Sequence, residues 1–293
     1  MLLVLLFSVL NCLNLAVRGQ SDLASNVNAL KEYLGHSSSQ GCYQASNRNA
    51  NFKLFSRNNN MGNCVTVYAN SLKTANFDSS KATYLFSHGW QGSGTDSYVA
   101  PLVQALLRKE DANVIVIDWN KGSRNPNLLT ASKTATSVGV DVAALVGTMT
   151  TLGLSPNRVN LIGHSLGGKV VKVAGNALAS AGKRVASVVA LDPVAGRYSG
   201  SADLVQVVHT SPIAAFSTGD IDFFVNGGAF SRDLMESHMV AIHMYTESVN
   251  ESCPFSACAK TNPTLCNSMG YGVRSSGPKG KLYITVKDAT AFC

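Results

Sequence analysis

The sequence predicts an α/β protein with a mostly parallel central sheet, helices on both faces and a single domain. Three observations predict it. Segments 83–86, 113–117, 159–162, 185–191 and 204–208 are almost wholly apolar, as strands buried on both faces require. Helical apolar spacing falls between several of them, over 98–109, 131–152 and about 167–181. The stretch from Val159 to Gly168 reads as a short strand, a tight turn and the start of a helix.

Taken in order, the chain opens on an almost wholly apolar run, Met1 to Leu15, followed by Val17-Arg18-Gly19. Small or apolar residues thus occupy the positions that signal peptidase favours. Residues 1–19 are read as a secretory signal, although its first residues carry no lysine or arginine. The run is too short to span a membrane comfortably, and no other stretch reaches 18 apolar residues. Residues 20–293 form the folded unit. Residues 21–40 are polar, with a short helix and a serine-rich tail expected. Segments 51–57 and 64–69 read as two strands around an Asn-rich turn, Asn58-Asn-Asn-Met-Gly62. The apolar segments listed above follow. No internal repeat, low-complexity block or linker divides them.

The chain has 293 residues, 45% apolar and 14% charged, enough to bury a large core. Cys12 would leave with the signal, and six cysteines remain: Cys42, Cys64, Cys253, Cys258, Cys266 and Cys293. An even number in a secreted chain argues for three disulfides, for which 15 pairings exist. Spacing suggests Cys42 with Cys64 and the other four among themselves. A zinc site is disfavoured, because no Cys-x-x-Cys pair is present and no histidine lies close by. Asn250-Glu-Ser252 is the one usable glycosylation sequon. The formal charge of +7 falls to +6 without Arg18, and no lysine or arginine run exceeds two. Nucleic acid is therefore a poor partner. A mild positive balance suits an anionic or zwitterionic lipid surface and suits simple solvation equally.

Gly163-His-Ser-Leu-Gly167 fits Gly-x-Ser-x-Gly, in which a serine sits at the tip of a strained strand-to-helix turn. The chain enters and leaves that turn so closely that side chains at Gly163 and Gly167 would collide. The same residues also fit the Gly163-x-x-x-x-Gly168-Lys169 skeleton of a phosphate-binding loop, but that loop needs Ser or Thr next and Val170 stands there.

A serine hydroxyl becomes nucleophilic only with an imidazole to take its proton and a carboxylate to orient the imidazole. For an elbow of this type the chain order is serine, acid, histidine. The acids after Ser165 include Asp192, Asp203, Asp220 and Asp222. Asp192 ends an apolar run and precedes Pro193, which places a carboxylate at the strand end beside the elbow. Turn capping would explain Asp192 alone. Of the later histidines, His209 closes a strand and reads as structural. His238 lies in a polar stretch before a helical pattern, and His243, inside that pattern, should face elsewhere. His238 is the base expected. Two backbone N–H groups should hold the oxyanion: Leu166, after the nucleophile, and Trp90, in the turn Phe86-Ser-His-Gly-Trp90. His88 reads as a structural hydrogen-bonder.

With these motifs in place, the chain resembles the secreted lipase family of pancreatic-lipase type. Within that family it resembles the single-domain insect members and the venom phospholipases of A1 type. The residues that carry the resemblance are Ser87-His-Gly-Trp90, Asn113-Val-Ile-Val-Ile-Asp-Trp119, Leu161-Ile-Gly-His-Ser-Leu-Gly-Gly168, Ala190-Leu-Asp-Pro193, Val208-His-Thr210, Asp222-Phe-Phe-Val-Asn-Gly-Gly228 and Ser237-His238. The resemblance implies an α/β-hydrolase fold, Ser165, Asp192 and His238 as nucleophile, acid and base, and no metal or cofactor. It implies a partner that is a lipid substrate at a membrane, micelle or droplet surface, acted on by a monomer without a transmembrane segment. Two departures from the family pattern stand out. The C-terminal β-sandwich of the larger members has no counterpart here. Only nine residues, from Ala229 to Ser237, stand where triglyceride lipases carry a cysteine-bracketed lid of some two dozen, and the second covering loop, 211–220, is also short. A short or absent lid implies an open site and shifts the expected substrate towards phospholipid, galactolipid or broad acylglycerol use. The alternative is a non-catalytic lipid-binding or yolk-type storage protein on the same fold.

Overall fold

Seven parallel strands form the spine of the protein, as described by a computed structural model that covers Cys42, residues 49–250 and residues 254–287. The chain runs β1 (Asn51–Ser56), β2 (Asn59–Val65), α1 (Ala69–Thr74), β3 (Thr83–Ser87), α2 (Val99–Lys109), β4 (Asn113–Asp118), α3 (Asn120–Ser123), α4 (Leu128–Thr151), β5 (Val159–His164), α5 (Leu166–Ser180) and β6 (Ser187–Leu191). It continues through β7 (Gly196–Arg197), β8 (Leu204–His209), β9 (Ser217–Thr218), β10 (Ile221–Val225), α6 (Leu234–Asn250), β11 (Ser256–Ala259), β12 (Asn262–Ser268) and β13 (Gly280–Ile284).

Eleven strands make one sheet in the order β12-β11-β13-β10-β8-β6-β5-β3-β4-β1-β2, with antiparallel pairs at both edges. The chain moves from β3 outwards to β4, then returns to the other side of β3 as β5. Loops leaving the carboxyl ends of β3 and β5 therefore diverge, and a crevice opens between them. This sheet, covered by helices on both faces along its central strands, is the α/β-hydrolase fold that the family resemblance implies.

Two cores explain the apolar strands. Leu85, Ile115, Leu161, Val188 and Val205 face α4 and α5, whereas Phe86, Val116, Ile162, Val189 and Phe223 face α2 and α6. Each strand gives alternate residues to opposite faces, and both sets are apolar because both faces are covered. α4 approaches α5 closely at Gly139, where an added Cβ would lie 2.6 Å from Val173 Cβ and 2.7 Å from Val170 O. α4 also starts earlier than its apolar pattern suggests, because Asn127 Oδ1 accepts from Leu129 N (3.0 Å) and Thr130 N (3.1 Å) and caps the helix.

Three expectations change. The Asn-rich stretch 58–62 is mostly strand: the chain reverses at Arg57-Asn58, and β2 begins at Asn59, whose Oδ1 accepts from Gly62 N (3.0 Å). Residues 66–69 leave the strand and enter α1. The strand segments read from the sequence stop at 208, whereas the structure continues with β10 to β13. In β12 the run Asn262-Pro-Thr-Leu-Cys-Asn-Ser268 is largely exposed and has no apolar alternation to read. Disulfides join Cys42 to Cys64 and Cys258 to Cys266, each involving a strand at one sheet edge. Cys253, Cys293, the expected helix in 21–40 and the signal at 1–19 lie outside the described residues. Among the described residues no helix is long and apolar enough to cross a membrane.

Phe223 is fully buried where β10 meets the α2–α6 core. Phe223→Ala should cost about 3–5 kcal/mol of unfolding free energy, measured as a lower urea midpoint with a native-like m-value.

Candidate active site

Ser165 sits between β5 and α5 with φ 54° and ψ −123°, a conformation that a residue with a side chain adopts only when its surroundings enforce it. The enforcement is visible on both sides. A Cβ on Gly163 would lie 2.3 Å from Gly167 O, so the turn itself excludes a side chain there. A Cβ on Gly167 would lie 2.3 Å from Ser87 O and 2.5 Å from His88 O. The second glycine is thus demanded by the end of β3, not by a collision with the first. Ser165 N donates to Leu191 O (2.9 Å), which ties the elbow to the end of β6.

One residue further along β6 stands Asp192, completely buried and also at positive φ (41°). Its Oδ1 accepts from Thr210 N and Ser211 N, both at 2.8 Å. Its Oδ2 accepts from Ser211 Oγ and from His238 Nδ1, the latter at 2.6 Å. Four donors thus occupy the lone pairs of this buried carboxylate. With Nδ1–H given to Asp192, Nε2 of neutral His238 is left with the lone pair a base needs. His238 lies in the first turns of α6 rather than before the helix. His243, five residues on, is rotated about 140° around the helix and exposed. Among the described residues no hydrogen bond joins Ser165 Oγ to His238.

The other acids are engaged elsewhere. Asp222 Oδ1 lies 2.9 Å from His209 Nε2, Asp220 Oδ2 accepts from Val205 N (2.9 Å), and Asp203 lies 4.0 Å from Arg184. His209 is structural, and more specific than a generic core histidine. Its Nδ1 donates to Ala214 O (3.1 Å), so its ring holds down the turn 210–214 whose N–H groups bind Asp192.

The turn after β3 is fixed from β4. His88 Nδ1 lies 3.0 Å from Gly89 O, Trp119 N donates to His88 Nε2 (3.0 Å), and Trp119 Nε1 donates to His88 O (3.0 Å). Asp118 Oδ1 lies 3.2 Å from His88 Nε2 and accepts from Gly94 N (3.0 Å) and Asn120 N (3.2 Å). Burial alone would raise the Asp118 carboxyl pKa, but these hydrogen bonds outweigh it and hold the group below the usual value. The turn presses on the elbow, since a Cβ on Gly89 would lie 2.7 Å from Ser165 Cβ. Trp90 N and Leu166 N have no acceptor among the described residues, which leaves both donors available to a ligand beside Ser165.

Sequence reasoning passed over His164. This residue is buried, its Nε2 donates to His238 O (3.0 Å), and its ring centroid lies 4.4 Å from that of His238. Burial, and then the neighbouring His238, push its pKa well below 6.5, so it is neutral. The signal was its place beside Ser165 in the motif. Ser211 was likewise missed, because only the fold brings it to Asp192. The phosphate-loop reading loses its lysine: Lys169 Nζ donates to Ser132 O (2.9 Å) and lies 2.8 Å from Ser132 Oγ, joining α5 to α4. Val170 is core. Asn250 ends α6, exposed, and accepts from Arg108 Nη2 (3.2 Å). Among the described residues no group of three or more His, Cys, Asp or Glu is placed to hold a metal.

Comparison with known proteins gives three findings. A sequence model described as "Lipase" matches residues 21–292. Human phospholipase A1 member A is 27% identical over 87% of this chain, and pancreatic triacylglycerol lipase of Myocastor coypus is 32% identical over 61% of it. The chain spans 65% of the first relative's length and the aligned part 43% of the second's. Among solved structures, the esterase Est22 is similar at a TM-score of 0.37 and 11% identity, over 79% of this chain and 88% of that one.

The depressed pKa of His164 has a pH signature. Below 6.5 an unfolded chain protonates this ring while the folded one keeps it neutral, so stability present at higher pH is lost as pH falls below 6.5. Urea midpoints at pH 7.5 and 5.0 should show a smaller acid loss for His164→Gln than for the parent chain.

Proposed function

Because the chain belongs to the Lipase family, we propose that it hydrolyses carboxylic esters of lipids outside the cell, by an acyl-enzyme mechanism built on Ser165, His238 and Asp192. One observation carries the proposal: a strained serine at an elbow, beside two N–H groups without acceptors and a fully buried His–Asp pair at 2.6 Å. Ser165 Oγ attacks the ester carbonyl as His238 Nε2 takes its proton. Asp192 stabilises the imidazolium and keeps the ring turned to the serine. Trp90 N and Leu166 N donate to the oxyanion, each contributing roughly 3–4 kcal/mol to the transition state. His238 returns the proton to the leaving alcohol, and water then releases the fatty acid by the same route in reverse.

The substrate proposed is a phospholipid, with acylglycerols as a second class. Similarity to a protein named phospholipase A1 member A, over 87% of the chain, supports this. So does the short segment 226–233 that leads directly into α6, with little chain to cover Ser165. An extracellular location is supported by the two disulfides among the described residues. Residues 20–293 are proposed to fold as one unit that acts as a monomer.

Ser165→Ala should lower turnover of a soluble ester about 10⁴–10⁶-fold without changing the urea midpoint. A fluorophosphonate probe should label the parent chain and not the variant. An unlabelled parent chain would instead favour a non-catalytic lipid carrier. For an open site, phospholipid hydrolysis should rise smoothly through the substrate's aggregation concentration, and an abrupt jump there would count against the uncovered-site reading.

A further inference from the structure

We propose that the outer face of β10 and β13 is an attachment surface for anionic lipid, separate from the crevice that holds Ser165. The choice of a lipid surface rests on the hydrolase reading above.

The last part of the sheet is covered on one face only. Along β13 and the residues after it, Leu282, Ile284 and Val286 are buried, while Lys281, Thr285 and Lys287 are exposed and Tyr283 is half-buried between them. The register places Phe224 opposite Tyr283 and His209 opposite Phe224. Their rings form a continuous stack, with centroids 4.2 Å apart for His209–Phe224 and 5.3 Å apart for Phe224–Tyr283. Two ammonium groups lie over this stack: Lys260 Nζ is 4.2 Å from the Tyr283 centroid and Lys281 Nζ is 5.9 Å from that of Phe224. The lysines thus lay their stems along the rings and carry their charged ends at the surface.

The charge pattern names the occupant. Residues 254–287 contain five cations, Lys260, Arg274, Lys279, Lys281 and Lys287, all exposed, and no Asp or Glu. The two described acids at its border, Asp222 and Asp220, each make hydrogen bonds within the fold. Asp222 is buried against His209, and Asp220 Oδ2 is taken by Val205 N. Half-buried aromatic rings beneath lysines suit the headgroup region of a bilayer, where phosphates meet the ammonium ends and the rings meet the glycerol level. The stack ends at His209, which holds the turn that binds Asp192, and the strands β8 and β6 separate this face from the strand β5 that carries Ser165.

Co-sedimentation of the full chain with vesicles tests this. Phosphatidylcholine vesicles containing phosphatidylserine should bind the parent chain, more weakly at high salt, and pure phosphatidylcholine should bind it poorly. Lys260→Glu with Lys281→Glu should weaken binding to the mixed vesicles by about tenfold or more. The milder Lys260→Gln with Lys281→Gln should weaken it less, and urea midpoints should show all variants folded. An equal charge change far from the face, Lys73→Glu with Lys183→Glu, should leave binding within about twofold. Equal loss in this control pair would mean that net charge alone drives binding, and the proposal falls. It also falls if the parent chain ignores mixed vesicles, or if the Glu pair loses only its retention on a sulfated-polysaccharide resin. Fluorophosphonate labelling of Ser165 reports on the hydrolase reading separately, whatever the vesicles show.

Discussion

The buried carboxylate of Asp192 is the constraint on which the rest of this structure depends. A charge taken wholly out of water costs several kcal/mol unless every lone pair finds a donor. Here the donors come from two places far apart in sequence: Thr210 and Ser211 after β8, and His238 on α6. Satisfying one side chain therefore fixes where β6 ends, how the chain turns after β8 and where α6 begins. The backbone of Asp192 takes part too, since its N–H donates to Val208 O (2.8 Å) while its φ is strained. Positions this costly persist only where surrounding packing over-determines them, and the packing here is two full cores on either face of one sheet.

A second level of support surrounds that anchor. His164 reaches from the elbow strand to the backbone of His238, and His209 reaches from β8 to the turn over Asp192. Asp118 and Trp119 reach from β4 to the turn that carries Trp90. In each case a polar side chain at the carboxyl end of a strand fixes a turn or helix of the site. The parallel arrangement makes this economical, because all those ends lie along one edge of the sheet. The proposed chemistry needs rigid donors and a fixed imidazole, and the crossed bonds among these strand ends supply that rigidity.

Much of this was legible in the residues. Strands such as 113–117 announce themselves because both faces are buried and nothing polar interrupts them. The glycines of the elbow announce the turn, and Asp192 is marked by an apolar run that ends at Pro193. The amphipathic β2 and the polar β12 were not legible in this way. They are edge strands, held by pairing and by a cystine on each, and edge positions place few demands on side chains. Ser211 and Asp118 were unreadable for another reason: their roles are set by neighbours 19 and 30 residues away, and no local pattern encodes such a meeting. His164 was overlooked inside a motif that draws attention to its serine.

The two cystines among the described residues bear on how the molecule would come apart. One fastens β2 and the other the β11–β12 hairpin, so each lies at an outer margin of an eleven-strand sheet. Unpaired margins are where a sheet frays and where foreign strands add. Cross-linking there works like the hem on a cloth: the weave in the middle is held by its own packing, and the stitching guards only the border. In a reducing environment the border strands would loosen first, exposing sticky edges while the centre still held its shape. The fold is thus suited to oxidising surroundings less by the strength of its middle than by the protection of its two sides.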